Sequence, residues 1–154
     1  MIFNWILINK FAIGTPVNCK EDLLTLEKNR ISSVLDLRNN YDFNKSSKKS
    51  FLFEKKFDYH NIQLPDHNSK RIANAEEIDK SLKVLSKLLI NGPVFMHCYA
   101  GIERCPLISI AYIHIYKGLS INQSYDYVKQ QNEKTNVTLK QLKVLSELNG
   151  IENC

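Results

Sequence analysis

The feature that most constrains this chain is the run from Pro93 to Pro106, PVFMHCYAGIERCP. Pro93 to His97 has the length and side chains of a short buried strand. From Cys105 to Lys117 apolar residues dominate on all sides until Gly118 offers a C-cap, which describes a central helix. A strand therefore ends at His97, a helix begins near Cys105, and a tight loop joins them at the carboxyl end of the strand. That is where ligands bind in open α/β sheets. The inward-pointing N–H groups of such a loop, with the positive end of the following helix dipole, make an anion site. Gly101 supplies a residue able to take positive φ, and Pro106 sits near the helix start, where a missing N–H costs little. A phosphate fits there.

The remaining segments predict a matching frame. Trp5 to Ile13 reads as a strand, followed by a turn at Gly14-Thr15-Pro16. A helix is expected from about Cys19 to Asn29, with Asn18 as N-cap and Glu21 as the other half of a capping box. Ile31 to Leu37 and Tyr59 to Leu64 have strand character. Between them, Arg38 to Ser50 reads as a polar surface excursion and Ser47 to Phe57 as a short basic helix. Capping boxes at Asn74/Glu77, Ser120/Gln123 and Thr138/Gln141 each open a further helix. The order β-α-β-(α)-β-α-β-α-α-α fits an α/β sandwich, a sheet with helices on both faces. With 154 residues, 44% of them apolar and 24% charged, residues 1–154 suit one domain.

Composition also narrows the partners. The formal charge is +5, but the lysines are dispersed and no nucleic-acid motif accompanies them, so an anionic substrate is expected rather than nucleic acid. Met1 to Ile13 lacks a basic leader region and a small-residue cleavage site, and no run approaches the roughly 18 apolar residues of a membrane span. The expected location is cytoplasmic. Four cysteines without an export signal read as free thiols, Cys19 and Cys154 being small buried hydrophobes.

Cys98 lies at the foot of the loop, where donors and the helix dipole favour its thiolate and make it a nucleophile. Arg104 carries a planar fork suited to two phosphoryl oxygens, which lysine cannot match geometrically. His97, Cys98 and Cys105 lack the spacing and the second ligand cluster of a zinc site, so neither metal nor cofactor is expected.

The octapeptide His97-Cys98-Tyr-Ala-Gly101-Ile-Glu-Arg104 resembles the H-C-x5-R signature of the cysteine-based protein tyrosine phosphatases, in their dual-specificity branch. The resemblance implies a central, twisted, mostly parallel sheet of about four to five strands flanked by helices on both faces. It implies a phosphocysteine intermediate on Cys98 and phosphate binding by Tyr99, Ala100, Gly101, Ile102, Glu103 and Arg104. It makes His97 a support for the loop. It also requires a general acid upstream of the cysteine, and Asp66, in Gln63-Leu-Pro-Asp66 right after a strand, takes that role. Ala12-Ile-Gly-Thr-Pro16 resembles an early turn of the family and Val34-Leu-Asp-Leu-Arg38 its second core strand, with Arg38 as a structural ion-pair residue. The similarity runs from about Phe11 to Leu148.

Two positions depart from that pattern. Where the family carries serine or threonine after the arginine, this chain has Cys105, a weak donor, so hydrolysis of the intermediate is expected to be slowed relative to its formation. Cys105 is alternatively a resolving thiol for an oxidised Cys98, or a tolerated replacement. Glu103 must face away from a bound phosphate, onto a lysine. The loop lacks the lysines of family members that take highly phosphorylated inositol lipids. Lys48, Lys49, Lys55, Lys56, Lys70 and Arg71 are candidates for steering anions, His67 and Asn68 for shaping the rim, and Asn136 or Gln141 for orienting water.

The function implied is a metal-independent dual-specificity protein phosphatase with a shallow site, its partner a phosphoprotein or small phosphoester. The alternatives are a phosphoester-binding module with impaired turnover, a phosphatase of a non-protein phosphoester, and an arsenate reductase.

Overall fold

Residues of the three central strands alternate between two buried faces, which is what a sheet covered on both sides demands. In a computed structural model that describes residues 1–45 and 56–152, the strands are β1 (Phe3–Leu7), β2 (Phe11–Gly14), β3 (Ser33–Asp36), β4 (Asp58–Asn61) and β5 (Val94–His97). The helices are α1 (Lys20–Lys28), α2 (Asn40–Lys45), α3 (Ala75–Leu89), α4 (Arg104–Lys117), α5 (Ile121–Gln131) and α6 (Leu139–Glu152). Phe11 and Ile13, Leu35, and Val94 and Met96 point into the larger core, formed with α3, α4 and α6. Ala12, Val34 and Phe95 point the other way, against Val17, Leu26 of α1 and Ile31. Leu26, Phe95 and Met96 are fully buried, and each such side chain contributes about 1.5–3 kcal/mol.

The five strands run in the order β1-β2-β5-β3-β4. β2, β5, β3 and β4 are parallel, and among the described residues only the edge strand β1 is antiparallel. This is the mostly parallel α/β sheet expected from the sequence. Its register sets the site: Gly14, His97 and Asp36 are level with one another across β2, β5 and β3. All three strands therefore end at one edge, and the loop that follows His97 leaves from the middle of it.

The stretch Trp5 to Ile13 is a hairpin rather than one strand. Asn9 takes a left-handed φ of 60°, Lys10 N–H donates to the Leu7 carbonyl at 2.9 Å, and β1 folds back on β2. Asparagine is among the few side chains that tolerate this conformation. At the start of α1 the cap lies one residue later than expected. Asp22, not Glu21, closes it, its carboxylate accepting from the N–H groups of Asn18 and Cys19 at 2.8 and 3.3 Å. Cys19 is half-buried at that N-cap position, and not in the core. The capping pairs at Asn74/Glu77, Ser120/Gln123 and Thr138/Gln141 form where expected.

The polar stretch beginning at Arg38 keeps Asn40, Tyr41 and Asn44 at the surface, but two of its charges turn inward. Arg38 is buried and forked on Asp36, with Nε at 3.0 Å from Oδ1 and Nη2 at 2.8 Å from Oδ2, and its guanidinium lies 4.7 Å over the Phe43 ring. α2 then brings Asp42 into the interior. These two charges can be buried because each meets an opposite one, Asp36 for Arg38 and Arg104 for Asp42. Most of the basic helix expected over Ser47 to Phe57 lies outside the described residues, as do Lys48, Lys49, Lys55 and Cys154.

Candidate active site

The loop from Cys98 to Arg104 closes tightly because of two glycines. Gly101 has φ 71°, and a β-carbon on it would stand 3.1 Å from the backbone of Gly14. Gly14 is itself packed so closely that a β-carbon would meet the Ile2 carbonyl oxygen at 1.8 Å. The backbone of β2 and the crest of the loop thus approach to a distance only glycine permits. From the other side, Asn132, buried between α5 and α6, donates to the Gly101 carbonyl at 3.0 Å and to Thr135 Oγ at 2.9 Å. Its own oxygen accepts from Asn4 at 2.8 Å, and Asn136 N–H donates to the Ile102 carbonyl at 2.8 Å.

A cavity of about 480 Å³ opens over this loop, lined by Cys98, Tyr99, Ala100, Ile102, Glu103 and Arg104, by Asp66, His67 and Asn68, by Asp42, and by Asn136 and Thr138. Gly101 is buried behind them. Cys98, only 2% exposed, forms the floor. Its pKa lies at about 6 instead of 9.0. The leading cause is the Cys105 thiol, whose Sγ is 3.5 Å away; burial opposes the shift, while the N–H groups of Cys105 and Gly101 and the Arg104 charge reinforce it. Burial, and then the contact with Cys98, pushes the Cys105 thiol well above its usual range. Cys105 is therefore the donor and Cys98 the thiolate. The only other acceptor close to Cys105 Sγ among the described residues is the Gly14 carbonyl, at 3.9 Å.

Beneath the loop, His97 is fully buried at the end of β5, and burial drives its pKa down against the pull of Asp36. As a neutral ring protonated on Nδ1 it donates to the Cys98 carbonyl at 3.4 Å, with Asp36 Oδ1 at 3.7 Å. Asp36 is in turn held by Arg38 and by the Tyr59 hydroxyl at 2.6 Å.

Arg104 does not hang free over the cavity. Nη1 donates to Asp42 Oδ2 at 2.6 Å and to the Leu37 carbonyl at 3.4 Å, and Nη2 donates to Asp42 Oδ1 at 3.2 Å. Of its five N–H groups, Nε–H and the second hydrogen of Nη2 remain uncommitted among the described residues. Asp42 thus grips one edge of the plane and presents the other to the cradle, the bidentate geometry that suits two phosphoryl oxygens. Nothing in the sequence marks Asp42 for this: it lies 62 residues from Arg104 in a stretch that reads as surface. Asn132, 31 residues from Gly101, was equally unmarked.

Asp66 Oδ2 stands 3.8 Å from Arg104 Nη2 and lines the same cavity. The turn that carries it is closed by its own side chains. Asp66 Oδ1 accepts from Asn68 N–H at 3.0 Å and from Ser69 Oγ at 3.3 Å, and Ser69 N–H donates to the Asp66 carbonyl at 2.9 Å. Burial alone would raise this carboxyl, but the Arg104 charge and the Asn68 N–H outweigh it, leaving its pKa below 3.8.

Glu103 does face away from the cradle, but onto His67 and Gln141, and not a lysine. Gln141 is committed to Glu103 and to Thr138, whereas Asn136 stands exposed on the cavity wall. Of the cations proposed for steering, Lys56 pairs with Glu27 and Arg71 with Glu77, and Lys70 lines a neighbouring hollow with Tyr41 and Pro65. Among the described residues no three His, Cys, Asp or Glu side chains gather as a metal would need, and no helix is long and apolar enough to cross a membrane.

Known proteins resemble this chain in sequence and in fold. The family described as "Dual specificity phosphatase, catalytic domain" matches residues 17–150. Dual specificity protein phosphatase 9 of Homo sapiens is 32% identical over 112 residues, covering 70% of this chain and 28% of that protein. Dual specificity protein phosphatase 16 of Homo sapiens is 30% identical over 119 residues, covering 75% of this chain and 16% of that protein. The chain thus spans less than a third of the length of these curated relatives. Among solved structures, the human tyrosine phosphatase-like serine/threonine/tyrosine-interacting protein superposes with a TM-score of 0.81 at 22% identity, over 99% of this chain and 98% of that one. At that identity the likeness concerns the fold.

Proposed function

The chain belongs to the family of dual-specificity phosphatase catalytic domains, and we propose that it hydrolyses phosphomonoesters without a metal, through a phosphocysteine on Cys98, with phosphotyrosine and phosphoserine/threonine in proteins as substrates. The observation that carries this reading is the Cys98 thiol held at a pKa of about 6 on the floor of a cavity that also presents the open edge of Arg104 and the carboxyl of Asp66.

Cys98 Sγ attacks phosphorus. The S–P bond forms as the P–O bond to the leaving group breaks, and the Asp66 carboxyl gives its proton to the departing oxygen. The N–H groups of Tyr99 to Arg104 and the Nε/Nη2 edge of Arg104 hold the equatorial oxygens as charge shifts among them. In the free protein Asp66 is held low first of all by Arg104. A phosphate dianion on Arg104 cancels that influence and lets the carboxyl hold the proton it must donate. In the second step water attacks phosphorus and Asp66 takes its proton. The P–S bond breaks, and Cys98 leaves as the thiolate with the Cys105 S–H pointing at it.

A monoester substrate is favoured over a polyphosphorylated one, since the cavity sets two carboxylates, Asp42 and Asp66, beside Arg104. Tyr99 and Ala100 stand exposed at the mouth, which supports a shallow site.

The test is hydrolysis of para-nitrophenyl phosphate in the presence of a chelator. Turnover inhibited by vanadate, and lost in Cys98→Ser, is expected. Activity surviving in Cys98→Ser overturns the mechanism, and phosphopeptide binding without any hydrolysis replaces it with a binding module. An Asp66→Ala protein presented with phosphopeptides, phosphosugars and phospholipids then identifies the substrate class by what it retains.

A further inference from the structure

The residue beside Arg104 and the residue beside Asp66 are joined directly. Glu103 is the last residue of the loop before Arg104, and His67 follows Asp66. Glu103 Oε2 accepts from the His67 main-chain N–H at 3.2 Å and lies 3.2 Å from its Nδ1. Glu103 Oε1 accepts from Gln141 Nε2 at 3.0 Å. Gln141 is itself fixed, because its Oε1 accepts from Thr138 N–H at 2.8 Å and from Thr138 Oγ1 at 3.1 Å. One carboxylate therefore spans three segments: the phosphate loop, the turn carrying Asp66, and the start of α6.

The other hydrogen bonds of that turn are mostly internal to it. Asp66, Asn68 and Ser69 bond to one another, which shapes the turn but does not place it over the cavity. The contact of Asp66 with Arg104 is an ion pair at 3.8 Å, longer than a hydrogen bond. It is also the contact a phosphate must displace. The Glu103 tie involves neither Arg104 nor the Asp66 carboxylate, so a phosphate on Arg104 has no need to displace it. Both carboxylate oxygens accept, so glutamine cannot replace the residue without setting an N–H₂ against either His67 N–H or Gln141 Nε2.

We propose that Glu103 is a positioning residue, a strap that holds the Asp66 turn over the phosphate loop so that the carboxyl reaches the leaving-group oxygen. This rests on the reading of Asp66 as general acid. Its consequence is selective, because proton donation matters little when the leaving group is already a stable anion and much when it is not.

The experiment compares kcat/KM for para-nitrophenyl phosphate and for phenyl phosphate, a poorer leaving group, in the full chain and in Asp66→Asn, Glu103→Ala and Glu103→Gln. Asp66→Asn is expected to lose far more activity on phenyl phosphate than on para-nitrophenyl phosphate. Glu103→Ala is expected to follow it in kind, losing about tenfold more on phenyl phosphate. Glu103→Gln, which keeps the shape and one acceptor, should fall between Glu103→Ala and the parent. If Glu103→Ala does not fold, as a lost thermal transition would show, Glu103→Gln decides alone. Equal losses on both substrates in the Glu103 variants, beside a selective loss in Asp66→Asn, overturn the strap and leave the acid in place. No selectivity in Asp66→Asn overturns the acid assignment, and the strap with it.

Discussion

Replacing Cys105 with alanine removes the strongest influence that keeps Cys98 ionised. The parent thiol has a pKa of about 6, three decades below 9.0, with the Cys105 S–H at 3.5 Å as the leading cause. Hydrogen bonds to charged groups are worth about 1.5–3 kcal/mol, and a thiol donor belongs at the low end of that range. A loss of about 1.4 kcal/mol raises the midpoint by one decade, to about pH 7. The thiolate fraction then falls about tenfold at pH 5 and about fivefold at pH 6, and hardly changes at pH 8. The assay is the rate of iodoacetamide alkylation of the Cys98 peptide from pH 4.5 to 9, followed by mass spectrometry so that half-buried Cys19 does not contribute. Cys105 itself stays silent over this range, since its own pKa is pushed well above 9.0. Cys105→Ser, which keeps a donor, should leave the midpoint near that of the parent, raise kcat and shrink any burst. A parent profile that inflects near 8.5, or parent and Cys105→Ala profiles that superimpose, would refute the reasoning.

Asp42→Ala frees the gripped edge of Arg104. Because Asp66 and the Cys98 thiolate remain as counter-charges, about 1–2 kcal/mol of stability should be lost, less than for an isolated buried pair. kcat/KM should drop by about tenfold or more, from lost orientation; unchanged kinetics would mean that Arg104 aligns itself. Asn132→Ala strips three hydrogen bonds from a buried site and leaves the Gly101 carbonyl unpaired. About 2–3 kcal/mol should disappear in urea unfolding, and a wild-type midpoint would show that the loop does not need this support. Gly14→Ala drives a β-carbon to within 1.8 Å of the Ile2 carbonyl oxygen, so the hairpin must shift. A cost of about 3 kcal/mol is expected by thermal unfolding, and a neutral effect would show that β1 yields freely.

The parts legible in the sequence are those whose cause is local. Strand, loop and helix from Pro93 to Lys117 follow one another in the chain, so their pattern shows directly, and Cys98, Arg104 and Gly101 come with it. Capping boxes are likewise local, which is why Asn74/Glu77 and Ser120/Gln123 form as expected. Even there Asn18/Glu21 slips to Cys19/Asp22, because two acidic residues in succession offer the same chemistry in adjacent registers. The hairpin at Asn9 was hidden by apolar residues on both sides of a single left-handed turn. Asp42 and Asn132 were illegible for a stronger reason: each earns its place through a partner far along the chain, and a polar residue on its own reads as surface. Arg38 is the opposite case: its expected structural ion pair forms, with a partner, Asp36, only two residues away.

The central claim is that Cys98 carries the phosphoryl group. Rapid acid quench of the protein during turnover of para-nitrophenyl phosphate, followed by mass spectrometry of the Cys98 peptide, measures it directly. A phosphoryl adduct on Cys98 that forms within the first turnover, persists longer in Asp66→Ala and is missing in Cys98→Ser is the predicted result. Turnover of the parent with no adduct on Cys98, or with an adduct on another residue, would contradict the account.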